Sequence, residues 1–219
     1  MQVDFYFDPA CPWSWVTSRW VCEVAEQRQV SVQWRPYSLF LGGRPDGHHL
    51  ERRLELAASA RALRLIEAVR ERYGDEAIAE LYTRLGMGFH HNDHRAFEHA
   101  GDAIAEMGLD GSLTGALEDP RWDAAIWASM AEAHEVADDD ADTPLLVLQA
   151  DGPKRAFHGP IFSPAPTGLA ALSAWDGFVA LIATPGFFEL TRHRDRGPLL
   201  PARPTITASD VIDLTRHRV

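Results

Sequence analysis

The first 37 residues confine the chain to few folds. Val3, Phe5 and Phe7 alternate with Gln2, Asp4, Tyr6 and Asp8, the period of a strand that begins almost at residue 1. Asp8-Pro9-Ala10-Cys11-Pro12 breaks that period. From Pro12 the spacing of Trp13, Val16, Trp20 and Val24 predicts a helix of about four turns, with proline in the first turn, where a missing N–H costs nothing. Val30, Val32 and Trp34 resume alternation through about Tyr37. The chain therefore opens as β-α-β, with its turn at residues 8–12.

Gly42-Gly43-Arg44-Pro45-Asp46-Gly47 reads as a linker. Residues 49–73, 75–86, 93–108 and 120–137 read as helices rich in Ala, Leu, Glu and Arg, with Gly74, Gly86, Gly88, Gly108 and Gly111 as stops. Past the acidic run of Asp138, Asp139, Asp140 and Asp142, read as a solvated hinge, Pro144 to Gln149 is a β-rich apolar stretch. Asp151-Gly152-Pro153 turns the chain, and Lys154 to His158 pairs back as a hairpin. Residues 165–183 return to helix, and four prolines make the tail mostly irregular apart from a short helix at Ser209 to Thr215. The order is βαβ, a helical block, then ββα. With the block set aside, this is the order of thioredoxin. The expected class is α/β, a thioredoxin fold with a large all-helical insertion: residues 1–43 and 140–219 form the sheet domain, and 44–139 a helical cap.

Composition excludes several functions. Twenty-one basic against 32 acidic residues leave a net charge of −11, the wrong sign for a nucleic-acid surface. The stretch from Leu190 to Val219 is the exception, with six Arg against three Asp. No positively charged segment leads into an apolar one at the N-terminus, and no apolar run is long enough to span a bilayer. A cytoplasmic protein with neither membrane nor nucleic-acid partner is the expectation. Two cysteines exclude a disulfide scaffold and a cysteine-built zinc site.

Cys11 stands at the mouth of the first helix. Unpaired backbone N–H groups and the positive end of the helix dipole favour its thiolate. Ser14 lies one turn on and can donate to the sulfur. Cys22 is no partner for Cys11, because eleven residues of helix carry it about 16 Å along the axis. His90, His91, His94 and His99 crowd one stretch, but Asn92 suits a helix N-cap, which places His90 and His91 in the preceding loop; no metal is expected. Trp13 is expected to be exposed at the site, with Tyr82 and Phe89 of the cap as aromatics that can stack on a flat electrophile.

Phe7-Asp8-Pro9-Ala10-Cys11-Pro12-Trp13-Ser14-Trp15 resembles the active-site stretch of DsbA-like oxidoreductases with a helical insertion, and most closely that of the mycothiol-dependent nitroreductase family of actinobacteria. The likeness continues through Thr17-Ser18-Arg19-Trp20, Leu81-Tyr82-Thr83, Gly86, His90, Thr143-Pro144, His158-Gly159-Pro160, Trp175-Asp176 and Phe187-Phe188-Glu189-Leu190. The resemblance implies a catalytic Cys11 assisted by Ser14. It implies a substrate-binding set of Pro12, Trp13, Thr143, Pro144 and His90, with Pro144 cis and His90 facing the thiol. It also implies mycothiol, or another low-molecular-weight thiol, as co-substrate. The chain departs from the family's Cys-Pro-Trp-Cys at Ser14, so a mixed disulfide on Cys11 has to be resolved by another molecule. The expected partners are that thiol and a small electrophile, with a homodimer as the candidate assembly.

Two further readings stay open. Kappa-class glutathione transferases and hydroxychromene-carboxylate isomerases resemble this chain in fold and insertion, with Ser-Pro-Tyr-Ser-Trp where it has Cys-Pro-Trp-Ser-Trp. In those enzymes the site activates a bound thiol without attacking. The last reading is a non-catalytic redox sensor in which Cys11 is only oxidised or capped.

Overall fold

The computed structural model describes residues 1–43, 49–138, 141–149 and 153–206. The elements in chain order are β1 (Gln2–Phe7), α1 (Pro12–Arg28), β2 (Ser31–Pro36), α2 (Leu50–Tyr73), α3 (Glu76–His91), α4 (Ala100–Glu106), α5 (Asp123–Ala137), β3 (Leu145–Leu148), β4 (Arg155–His158) and α6 (Gly168–Ala183). Two 3₁₀ segments, Gly111–Glu118 and Pro120–Trp122, lie between α4 and α5. The sheet runs β2-β1-β3-β4, with β1 parallel to β2 and antiparallel to β3, and β4 antiparallel to β3. This is a thioredoxin-type α/β sheet with a helical insertion between β2 and β3. The predicted helix at Ser209 to Thr215, and Asp139, Asp140, Arg44 to Gly47 and Asp151-Gly152, lie outside the described residues.

The pleat sorts the sheet residues onto two faces. Phe5, Phe7, Trp34, Leu146 and Phe157 share one face by register. Tyr82 of α3 packs against Phe7 there, ring centroids 4.1 Å apart, and Phe178 of α6 against Phe157 at 6.1 Å. Helix α1 lies on the same side and is locked to α6: Trp20 donates Nε1–H to the Ala171 carbonyl (3.0 Å) and packs against Trp175 at a tilt of 53°. At the surface, Arg28 forks onto Asp176. β1 is buried on both faces from Val3 to Phe7. Asp4 is consequently buried, with Lys154 at 3.1 Å and Arg35 at 3.7 Å as counter-charges.

The cap departs from expectation at its glycines and histidines. Gly86 and Gly88 do not stop a helix; α3 passes through both. They are small because of what lies against them: a Cβ at Gly86 would meet the Trp15 ring at 2.2 Å, and one at Gly88 the His99 ring at 2.0 Å. Helix α3 then runs on to His91, and Asn92 closes its C-terminus and does not start the next helix. His90 and His91 are therefore in the last helical turn. His94 lies beyond it, its ring 4.8 Å from that of His99. The 93–108 helix is shorter than expected, since residues 92–99 form turns before α4.

Candidate active site

The chain from β1 to α1 is held by a buried acid. Asp8 is fully buried; its Oδ1 accepts from the Ala10 amide (2.8 Å) and the Ser59 hydroxyl, and its Oδ2 from the Leu39 amide (2.9 Å). Burial pushes its carboxyl up, and these donors and Arg52 pull it back. Arg52 Nη2 donates to the Ala10 carbonyl (3.1 Å), and His90 Nε2 lies 3.0 Å from the Pro9 carbonyl. The turn before Cys11 is thus gripped by α2 and α3. A residue donating to a carbonyl must carry the proton, which assigns the Nε2–H tautomer to His90. Burial holds its pKa down at about 3, so the ring is neutral.

Cys11 is the N-cap of α1, with extended φ and ψ. Its Sγ accepts from the Ser14 amide (3.4 Å), as expected at a helix mouth. It also lies 3.6 Å from the Thr143 carbonyl oxygen, to which only a protonated sulfur can donate. The thiolate expected at this position is not the resting form. The sulfur is almost wholly enclosed, burial pushes the thiol up to about 11, and the Ser14 amide offsets only part of that.

Ser14 is fully buried, and its hydroxyl bonds that of Thr143. Thr143 Oγ1 donates in turn to the Tyr6 carbonyl (3.1 Å), so the Ser14 proton points to Thr143. The chain Ser14, Thr143, Tyr6 ties the first turn of α1 to β1 and to the loop entering β3. Thr143–Pro144 is cis, as are Gly159–Pro160 and Ser163–Pro164. The Pro144 carbonyl accepts from the Gly159 amide (2.8 Å).

Cys11, Pro12, Trp13, Ser14, Thr143 and Pro144 are therefore brought together. His90 adjoins them through Pro9 and stacks on Trp15 (5.4 Å, 18°); its described polar contact is with backbone and not with the thiol. Tyr82 and Phe89 do not line an open site. Both are buried: Tyr82 packs against Phe7 and Trp15, and Phe89 stacks on Phe97. Trp13 is half-buried beneath the Arg194 guanidinium, 5.6 Å from its ring centre. Sequence reasoning missed Arg52 and Ser59, which stand in an unremarkable helical stretch. It also missed His91, whose Nε2 accepts from Trp15 Nε1–H (3.1 Å). A cleft of about 1000 Å³ lies along the β4 edge, lined by Phe157, His158, Pro160, Phe178, Phe187 and Phe188 among others. It gathers several late stretches of the resemblance but not Cys11. Among the described residues, no group of three His, Cys, Asp or Glu is arranged to hold a metal, and no helix is long and apolar enough to cross a membrane.

Comparison with known proteins agrees with this architecture. The sequence model of the Rv2466c-like family, described as mycothiol-dependent nitroreductase Rv2466c, matches residues 10–192. The uncharacterized protein Rv2286c of Mycobacterium tuberculosis is 26% identical over 228 residues, spanning 99% of this chain and 94% of that one. Among solved structures, the cytosolic disulfide reductase DsbM from Pseudomonas aeruginosa superposes with a TM-score of 0.56 at 17% identity, covering 82% of this chain and 97% of that one. A probable DsbA oxidoreductase from Streptomyces coelicolor gives 0.53 at 22% identity, covering 94% and 100%. The two superpositions bear on the fold alone.

Proposed function

Because the chain belongs to the Rv2466c-like family of mycothiol-dependent nitroreductases, and so is an enzyme of thiol-dependent redox chemistry, we propose that Cys11 is its single nucleophile. The supporting observation is the meeting of Cys11 Sγ with the Ser14 amide and the Thr143 carbonyl beside cis Pro144. In this reading the Cys11 thiolate attacks a disulfide, forming a Cys11–S–S–R bond and expelling the second thiolate. A low-molecular-weight thiol, mycothiol by family, then attacks that bond and frees Cys11 as the small disulfide leaves. An external thiol is needed because Ser14 has no sulfur and Cys22 is about three turns away on the same helix. Thr143 and Pro144 dock the thiol, Trp13 offers a flat apolar surface, and His90 holds the Pro9 carbonyl. The sheet domain of 1–43 and 140–219 carries the thiol, and the cap of 44–139 selects the electrophile. A cytoplasmic location, where small thiols are kept reduced, goes with this reading.

The buried, protonated Cys11 favours a second reading, in which the site activates a bound thiol without covalent attack. Intact mass after exposure to mycothiol disulfide, and separately to glutathione disulfide, separates the two. A single adduct mapped to Cys11, reversed by excess thiol and absent in Cys11→Ser, supports the nucleophile. Turnover with Cys11 never modified moves the assignment to thiol activation.

A further inference from the structure

After α6 the chain has no regular secondary structure through residue 206, yet it is pinned along α1. Ser163 Oγ donates to the Gly197 carbonyl (2.6 Å) and accepts from the Leu199 amide (2.9 Å). The loop carrying Ser163 is itself seated on α1: Thr17 donates to the Pro160 carbonyl (2.9 Å), and Phe162 packs on Trp20. Upstream on the strap, Arg194 covers Trp13. Downstream, Arg203 comes close enough to His91 that its charge, with that of Arg19, disfavours the imidazolium. Trp15 connects His91 back to α1. The strap thus follows the N-terminal half of α1 from Trp13 to the end of α3.

Its charge is out of keeping with the rest of the molecule. The net charge is −11, and the arginines of the helices are mostly matched to carboxylates, as in Arg28–Asp176, Arg64–Asp123, Arg70–Glu67 and Arg84–Glu80. Among the described residues Arg19, Arg194 and Arg203 of this corner have no carboxylate partner, a property they share with Arg53, Arg155 and Arg192 elsewhere in the described chain. Arg19 is held in place, its Nη1 on Thr83 Oγ1 (2.9 Å) and its guanidinium 4.4 Å from the Trp15 ring centre. Its Nη2 is buried and has no hydrogen-bond partner. Unmatched guanidinium groups in an acidic protein make a local positive field that concentrates anions, and their paired N–H groups fit a carboxylate.

We propose that the strap and the outer face of α1 form a recognition site for a carboxylate-bearing aromatic disulfide that Cys11 attacks, with Arg194, Arg203 and Arg19 as its cations and Trp13 as its stacking surface. This deepens the reading of Cys11 as nucleophile and rests on it. The step is a thiol–disulfide exchange: the Cys11 thiolate bonds one sulfur, the aryl disulfide bond breaks, and the second aryl thiolate leaves with the electron pair.

Two probes test it in a Cys22→Ser background: dithiobis(nitrobenzoate), which carries a carboxylate on each ring, and the uncharged dithiodipyridine. Both release a coloured thiol, so the rate at Cys11 is read directly by stopped-flow absorbance. The expected result is that the anionic-to-neutral rate ratio falls about tenfold in the double variant Arg194→Gln/Arg203→Gln, and that Arg194→Lys/Arg203→Lys recovers part of it. In the parent, added salt lowers the same ratio. An unchanged ratio in the Gln variant overturns the anion site while Cys11 still reacts. Failure of Cys11 to react with either probe overturns the nucleophile reading, and this proposal with it.

Discussion

At the residue scale, the site turns on the contest between burial and hydrogen bonding at Cys11. A helix mouth lowers a thiol, but an enclosed sulfur lacks the water that stabilises its anion, and here enclosure prevails. The motif Cys11-Pro12-Trp13-Ser14 was legible as chemistry, because it needs only a strand end and a helix start. The resting protonation state was not, because it depends on Thr143, 132 positions away, closing over the sulfur. With the thiol held at about 11, alkylation of Cys11 by a neutral reagent is expected to rise about tenfold per pH unit from roughly pH 7 to 10. A plateau near neutral pH shows instead a thiolate already formed at rest.

At the element scale, α1 is held from both sides of its length. Trp20 docks it on α6, and Trp15 docks it on α3 through the space left at Gly86. Alanine there gains helix propensity of about 1 kcal/mol, but its Cβ overlaps the Trp15 ring, which is fully buried and cannot yield freely. Gly86→Ala is therefore expected to cost a net 1–3 kcal/mol or about that, read as a lower urea midpoint at unchanged slope. Sequence reasoning took Gly86 and Gly88 for helix stops because glycine at a helix end and glycine at a helix–helix contact look alike in one dimension. Only the partner ring distinguishes them.

At the scale of the whole molecule, cap and sheet meet at the turn before Cys11. His90, from the cap, donates to the Pro9 carbonyl, and burial keeps its ring neutral. In the unfolded chain the imidazole titrates near 6.5, and in the folded chain near 3. Between these values the unfolded state binds the proton and the folded state does not. The His90 contribution is therefore complete above about pH 6.5 and is lost as pH falls toward 3, by up to about 1.4 kcal/mol per pH unit. His90→Gln removes that titration, so the stability difference between parent and variant, from urea unfolding at pH 4 to 7, is expected to narrow on acidification. A constant difference shows that His90 is free to protonate in the folded state.

The sequence by itself determined the strand and helix order, the place of the insertion and the helix-mouth cysteine. These follow from periodicity and from proline and glycine acting on their neighbours, and local forces are written locally. The tertiary structure decided the rest: that Asp8 is clamped by Ser59, that α3 runs to His91, that the Ser14 hydroxyl is turned toward Thr143, and that an arginine strap returns to Trp13. Each of these joins residues far apart in the chain. Such contacts arise from the space and unmatched polar groups that packing leaves, and no single segment holds that information.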